Sequence, residues 1–263
     1  MSVSEYIKQL QSFEEYAFSW EEILKNCDSP ESTLRKEIIR LAERNEIVNL
    51  RQGFYLIIPP RYQNLGKIPV QLYIDKLFKQ LNKRYYVGLY SAATIYGASH
   101  QKIQQDYVIA VPPAIRDIDK GKTKLRFFKS ENWPEKNIIE KKSDAGIYKV
   151  SSPALTIVDL VHYHSKIGGI SRLLANIEEL SDELVQEDMK DLLSWYPYKS
   201  TLQRLGFLLE ELNVQEPIQG MIQEKLTKEP FYPALLSPKK GVKAGSTGNR
   251  WKIDVNIKLE NDL

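Results

Sequence analysis

The chain has 263 residues, 42% hydrophobic and 27% charged, the makeup of a globular protein with length for roughly two domains. No apolar run approaches the ~18 residues of a membrane span, and the start lacks the basic and apolar stretches of a secretory signal, so no membrane contact and a cytoplasmic location are expected. The net charge of +3 divides into −3 over residues 1–60 (7 Lys/Arg against 10 Asp/Glu), +9 over 61–150 (17 against 8) and −3 over 151–263 (13 against 16), which excludes a chain basic throughout. The basic middle third fits either a polyanionic partner or a solubilising surface.

The first 60 residues read as three helices and a hairpin. Val3, Ile7 and Leu10 share one face of a helix from Ser2 to Leu10. Ser19 can cap a second helix by accepting from the amide of Glu21 or Glu22, with Trp20, Ile23 and Leu24 apolar. Asn26 to Pro30 forms a turn that ends on a proline suited to the first helical position. In the third helix, about Pro30 to Arg44, Leu34, Ile38 and Leu41 keep the core spacing while Ser32, Lys36 and Glu43 lie opposite. Ile47–Leu50 and Phe54–Ile58, separated by Arg51-Gln52-Gly53, form a hairpin.

That order describes a winged helix-turn-helix over residues 1–60. Short hydroxyls early in a helix with cations behind them suit the major groove of double-stranded DNA. The DNA-contacting residues expected are Ser32, Thr33, Arg35, Lys36 and Arg40, with Arg51 from the wing. Glu31, Glu37 and Glu43 on the same helix argue against strong non-specific binding, and a winged helix can also serve only as a protein-binding module.

Residues 61–263 read as an α+β region with a mixed sheet and a helical bundle. A helix is expected over Val70–Leu81 and another over Ala92–Tyr96, capped by Ser91 and stopped by Gly97. Strands are expected at Asp106–Val111, Lys124–Phe128 and Ile147–Val150, and Ser151-Ser152-Pro153 caps a helix to about His162. Three helices follow, marked by Ile170 to Ile177, Leu184 to Leu193 and Leu202 to Leu212. Ser237–Asn249 reads as mobile, and Trp251–Leu259 as a closing strand.

The winged-helix pattern is followed by Tyr85-Tyr-Val-Gly-Leu-Tyr-Ser-Ala-Ala-Thr-Ile-Tyr-Gly97 and Val150-Ser-Ser-Pro-Ala-Leu-Thr-Ile-Val-Asp-Leu160. In that order they resemble the AbiEi family, the antitoxin and repressor components of bacterial type IV abortive-infection toxin–antitoxin systems. The resemblance spans nearly the whole chain. It implies a winged helix that binds inverted repeats in the operator of its own operon and represses it. It also implies a C-terminal region that neutralises a co-encoded nucleotidyltransferase-like toxin, without requiring a stable complex. Positive charge outside the winged helix assists DNA binding in that scheme, and Lys120, Lys122, Lys124 and Arg126 form the matching secondary patch. The mild acidity of residues 1–60 departs from the family's pattern.

No cofactor, metal or catalytic residue is expected. The single cysteine, Cys27, excludes an intramolecular disulfide and a cysteine-rich zinc site. Gly121-Lys122-Thr123 has Arg116 where a phosphate-binding loop needs its first glycine. His162 and His164 are two apart on a helix and cannot chelate one metal, and His100 stands alone. Gly245-Ser246 with Asp254 is a near miss to a polymerase-type nucleotidyltransferase, because Asn256 replaces the second metal-binding carboxylate. Asp159 reads as a helix residue bonded to neighbouring backbone or to a cation. Glu178, Glu179, Asp182, Glu183, Glu187, Asp188 and Asp191 read as a solvated face, or as contacts to a basic partner such as a toxin. Two other function classes stay open: a winged-helix adaptor without sequence-specific DNA binding, and a nucleotidyltransferase-like enzyme.

Overall fold

A computed structural model describes residues 1–98, 104–238, 241–243, 245 and 247–259. The chain forms two compact units, one built from 1–86, 104–130 and 140–149, the other from 87–103, 131–139 and 150–263. Helices and sheets mix in an α+β arrangement.

The first unit opens with α1 (Val3–Ser12), β1 (Ala17–Ser19), α2 (Trp20–Asn26), α3 (Glu31–Glu43), β2 (Ile47–Arg51) and β3 (Phe54–Ile57). Ser2 and Ser19 both cap in reciprocal boxes. Each hydroxyl accepts from the amide three residues on, and the glutamate there, Glu5 or Glu22, reaches back to the cap's own N–H. The strands pair in the order β1-β3-β2, antiparallel throughout. β1 has no counterpart in the sequence reading, since three residues are too few to show alternation. Val3, Ile7, Leu10, Phe18, Ile23, Leu34, Ile38, Leu41, Ile47 and Ile57 meet in one buried cluster, where Phe18 stacks on Tyr55 at 5.2 Å.

Next come α4 (Pro60–Gln63) and a 3-10 turn at Val70–Leu72. The helix expected over Val70–Leu81 is interrupted by Tyr73 at φ −142°, so α5 spans Ile74–Leu81. Strands β4 (Tyr85–Val87), β5 (Asp106–Ala110), β6 (Ile118–Lys120), β7 (Thr123–Lys129), β8 (Ile138–Ser143) and β9 (Gly146–Ser151) form a mixed sheet ordered β6-β7-β5-β4-β9-β8. β5 and β7 run parallel while β6 and β7 form an antiparallel hairpin. Phe78 of α5 stacks on Tyr85 at 4.5 Å and meets Phe127 edge-on. β2 lies beside β6, so an edge of each sheet borders the other.

The second unit is mainly helical: α6 (Leu89–Ile95), α7 (Pro153–Tyr163), α8 (Leu174–Ser181), α9 (Gln186–Trp195), α10 (Lys199–Glu211) and α11 (Glu216–Thr227). Gly88 in extended backbone, not Ser91, precedes α6, and Ser91 is buried inside the helix. Gly97 at φ +78° ends that stretch as expected. Ser152 caps α7 by accepting from the Leu155 amide at 3.3 Å. α10 is buried at every residue from Thr201 to Leu209, and its long polar side chains Gln203 and Arg204 are satisfied by backbone. The Gln203 amide donates to the carbonyls of Tyr232 and Trp251, and Arg204 Nε to that of Leu235.

The closing strand expected over Trp251–Leu259 shrinks to β11 (Ile253–Asp254), paired parallel with β10 (Ala234–Leu235). Lys252 at φ +52° breaks the alternation, so Asp254 is buried while Val255 is 37% exposed. Of the stretch Ser237–Asn249, residues 239, 240, 244 and 246 lie outside the described residues. Asn249 is anchored there: its side-chain oxygen accepts from Ile253 N–H and its amide donates to the Ile253 carbonyl. No helix among the described residues is long and apolar enough to cross a membrane.

Candidate nucleic-acid interface

α3 turns Leu34, Ile38 and Leu41 into the core and leaves Ser32, Thr33, Arg35, Lys36, Ile39, Arg40 and Glu43 exposed. The cations of this face are not equivalent. Arg35 donates to Glu31 one turn earlier, at 2.5 Å from Nη2, and its guanidinium lies 4.7 Å from the centroid of the Trp20 ring. It therefore ties α3 to the first residue of α2. Lys36 and Arg40 have no ion pair among the described residues.

The acids that weigh against DNA binding are also unequal. Glu31 is occupied by Arg35, and Glu37 accepts from the Val3 amide at the start of α1 at 2.9 Å. Glu31 and Glu43 both stay exposed, and of the three Glu43 alone has no ion pair or hydrogen bond to its side chain among the described residues.

The β2–β3 hairpin turns at Gln52-Gly53, with Gly53 at φ +72°. The Gly53 carbonyl accepts from Trp20 N–H at 2.9 Å, so the tip is held against the start of α2. Arg51, half-buried, pairs with Phe54 across a register shift at the tip.

The secondary patch is less uniform than its sequence. In register, Lys120 faces Thr123 and Asp119 faces Lys124. Lys124 and Arg126 therefore share one strand face with Asp117 and Asp119, while Lys120 points to the other. Arg126 makes a two-pronged pair with Asp119 at 2.9 and 3.0 Å and lies 3.8 Å from Asp117. That guanidinium holds the Asp119 carboxyl below its usual range. Lys122 lies over Gly66 and donates to the Asn64 carbonyl at 3.4 Å. Lys120 is exposed and has no ion pair among the described residues. Its strand, β6, borders β2 of the hairpin.

The catalytic near misses have structural roles. Gly121-Lys122 is the turn of the β6–β7 hairpin, with Gly121 at φ +57°. His162 Nδ1 lies 3.2 Å from the Thr201 hydroxyl, and His164 Nδ1 lies 2.7 Å from the Val161 carbonyl. Burial lowers both imidazoles, His162 to about 4, so both are neutral near pH 7. His100 and Ser246 fall outside the described residues. Asn256 is spent on the backbone of Ser237, accepting from its N–H and donating to its carbonyl. Asp159 is buried on α7 near Tyr163 and Tyr196. No group of three His, Cys, Asp or Glu among the described residues could hold a metal.

The acidic series divides in the same way. Asp188 accepts from Ala154 N–H at the start of α7 and from the Asn137 amide, at 2.8 and 2.7 Å. Asp191 pairs with Lys136. Glu178, Asp182, Glu183 and Glu187 remain exposed. Sequence reasoning missed the Arg35 clamp although Glu31 and Arg35 stand four apart on a helix, the spacing of a surface pair.

Residues 86–211 match the model of the AbiEi antitoxin C-terminal domain. No curated protein matches the sequence. The crystal structure of the RV2827C protein from Mycobacterium tuberculosis aligns over 95% of this chain and 89% of its own, at a TM-score of 0.63 and 16% identity, a likeness of fold alone. An antigenic nucleotidyltransferase-like protein from Paracoccidioides brasiliensis covers 57% of this chain and 88% of its own at 12% identity. Its TM-score of 0.35 carries no argument.

Proposed function

Through residues 86–211 the chain belongs to the AbiEi antitoxin family, and from that premise we propose an antitoxin that also represses its own operon. In this reading residues 1–60 are a winged helix-turn-helix with α3 as the recognition helix and the β2–β3 hairpin as a short wing. Residues 61–263 counteract a co-encoded nucleotidyltransferase-like toxin, and the chain itself does no catalysis.

The observation that carries the DNA half is the outer face of α3. Ser32, Lys36 and Arg40 are exposed there, while Glu31 is paired with Arg35 at the surface and Glu37 is turned to the Val3 amide of α1. A helix laid in the major groove offers hydroxyls and cations to base edges and phosphates in that arrangement. Arg51 and Lys120 extend the surface toward the flanking backbone. The net −3 of residues 1–60 then matters less, because its excess acids are not all on the DNA side.

The test is titration of the full chain against duplexes from upstream of its own reading frame, with a scrambled duplex and a salt series. Selective binding that disappears in the Lys36→Ala/Arg40→Ala variant supports repression. Equal, weak binding to both duplexes moves the protein-binding adaptor ahead. Co-expression with a nucleotidyltransferase-like protein encoded beside the chain, which this reading requires, tests the antitoxin half, with cell growth as readout.

A further inference from the structure

We infer that Ile39 reads the 5-methyl group of a thymine in the major groove, an assignment that rests on the DNA-binding reading above. Ser32, Lys36, Ile39 and Glu43 follow one another at four, three and four residues, which makes them a single row along α3. That row is turned away from Leu34, Ile38 and Leu41, which are each no more than 7% exposed. Ile39, in the middle of the row, is 56% exposed.

Burial in the core does not account for an isoleucine there. A β-branched residue is a poorer helix former than the lysine, arginine or glutamate that surround it, and an exposed one gains nothing from burial. A site that costs helix propensity and solvation is suited to a partner. The partner's chemistry follows from the neighbours. Lys36 precedes Ile39 by three residues and Arg40 follows it, both exposed and without an ion pair among the described residues. Two bare cations beside one methyl-rich side chain disfavour an apolar protein pocket and fit a polyanion. Among base edges in the major groove, the apolar group on offer is the thymine C5-methyl. Arg35, the next exposed residue around the helix, is held by Glu31 and Trp20 and leaves the approach to Ile39 open.

The experiment uses the full chain and duplexes from upstream of its reading frame, footprinted first. Each thymine in the protected region is then replaced singly by deoxyuridine, which removes only the methyl group. At one or more thymines the wild type loses about fourfold in affinity, the worth of one buried methyl. Ile39→Ala loses a similar factor on the thymine duplex and is indifferent to deoxyuridine at that position. A thermal melt of Ile39→Ala that is unchanged or slightly raised, because the side chain is mostly exposed and alanine is the better helix former, shows that the variant is folded. Wild-type tolerance of deoxyuridine at every thymine, or an equal penalty in Ile39→Ala, overturns the assignment while leaving selective DNA binding in place. Failure to prefer the upstream duplex over a scrambled one overturns both readings.

Discussion

The Trp251 indole lies against the backbone of α10 at Gly206, where a Cβ would overlap the ring atoms Cζ3, Cε3 and Cη2. Trp251 is fully buried, its Nε1 donates to Glu210, and the Arg250 guanidinium stacks over it at 4.8 Å. A glycine inside a helix costs about 1 kcal/mol against alanine, so the exchange is decided by the ring that needs the space. Gly206→Ala is expected to destabilise by about 1–3 kcal/mol, the range for overpacking, because the clash falls on a ring pinned from both sides. In Trp251→Ala the same glycine exchange becomes neutral or stabilising. A double-mutant cycle by denaturant titration checks this, and additive losses would rule out the close approach as their cause.

On α3, Lys36→Ala and Arg40→Ala are expected to weaken DNA binding without moving the melting temperature. Each phosphate that is no longer neutralised reduces the salt slope by about 0.9. Arg35→Ala acts differently, since it removes a Glu31 pair worth about 0.3–0.5 kcal/mol and a Trp20 stack worth about 0.5–1. It should lower the melting temperature and alter affinity through the tie between α2 and α3. In the secondary patch, Lys120→Ala should reduce the salt slope, whereas Arg126→Ala should leave it unchanged, because Asp119 already neutralises that cation. An equal effect of Lys120 and Arg126 on the slope would contradict the register.

Much of the first 60 residues is legible in the sequence because its signals are local. Leu34, Ile38 and Leu41 give the helix period, Ser19 the cap, and Arg51-Gln52-Gly53 the turn. The strands β6 and β8 are not legible, because Ile118-Asp-Lys and Ile138-Ile-Glu-Lys-Lys-Ser are polar edges without alternation. α11 is a different case: its buried Ile218, Ile222 and Leu226 keep a helical i, i+4, i+8 spacing after Pro217, a local signal that the sequence reading passed over. At the interface, sequence identifies the cations but not their partners. That Arg35 and Arg126 are engaged while Lys36, Arg40 and Lys120 have no ion pair among the described residues depends on distances that no linear pattern states.

In sequence Asp188 belongs to a solvated acidic face, yet in the fold it accepts from the Ala154 amide at the start of α7 and from the Asn137 side chain. Asp188→Ala leaves two donors without their acceptor and should cost about 1–3 kcal/mol. Asp188→Asn, which keeps an acceptor oxygen, should recover part of it. The contribution of acidic residues to toxin neutralisation is therefore read from Glu178, Asp182, Glu183 and Glu187. Replacing those four by Gln or Asn should leave the melting temperature unchanged. Neutralisation that also survives the change would remove this face as a partner surface.

Stability against pH carries two opposing contributions. Burial raises Asp106 to about 6, despite Lys67 at 3.9 Å. Between pH 4 and 6 the folded state keeps a proton that the unfolded state has released, so this group's contribution falls as pH rises through that window. His162 runs the other way. Burial lowers it to about 4, so the unfolded state takes up a proton near pH 6.5 that the folded state refuses, and stability falls as pH drops from 6.5 toward 4. Asp106→Asn should therefore be more stable than the wild type by on the order of 2 kcal/mol above pH 6 and equal to it below pH 4. Its stability should decline steadily below pH 6.5, with the histidine limb no longer offset. His162→Gln should flatten that decline only in part, because burial also lowers His164. Denaturant titrations of wild type and both variants from pH 4 to 8 resolve the two limbs. An Asp106→Asn difference that does not vary with pH would show that the carboxyl is not held protonated.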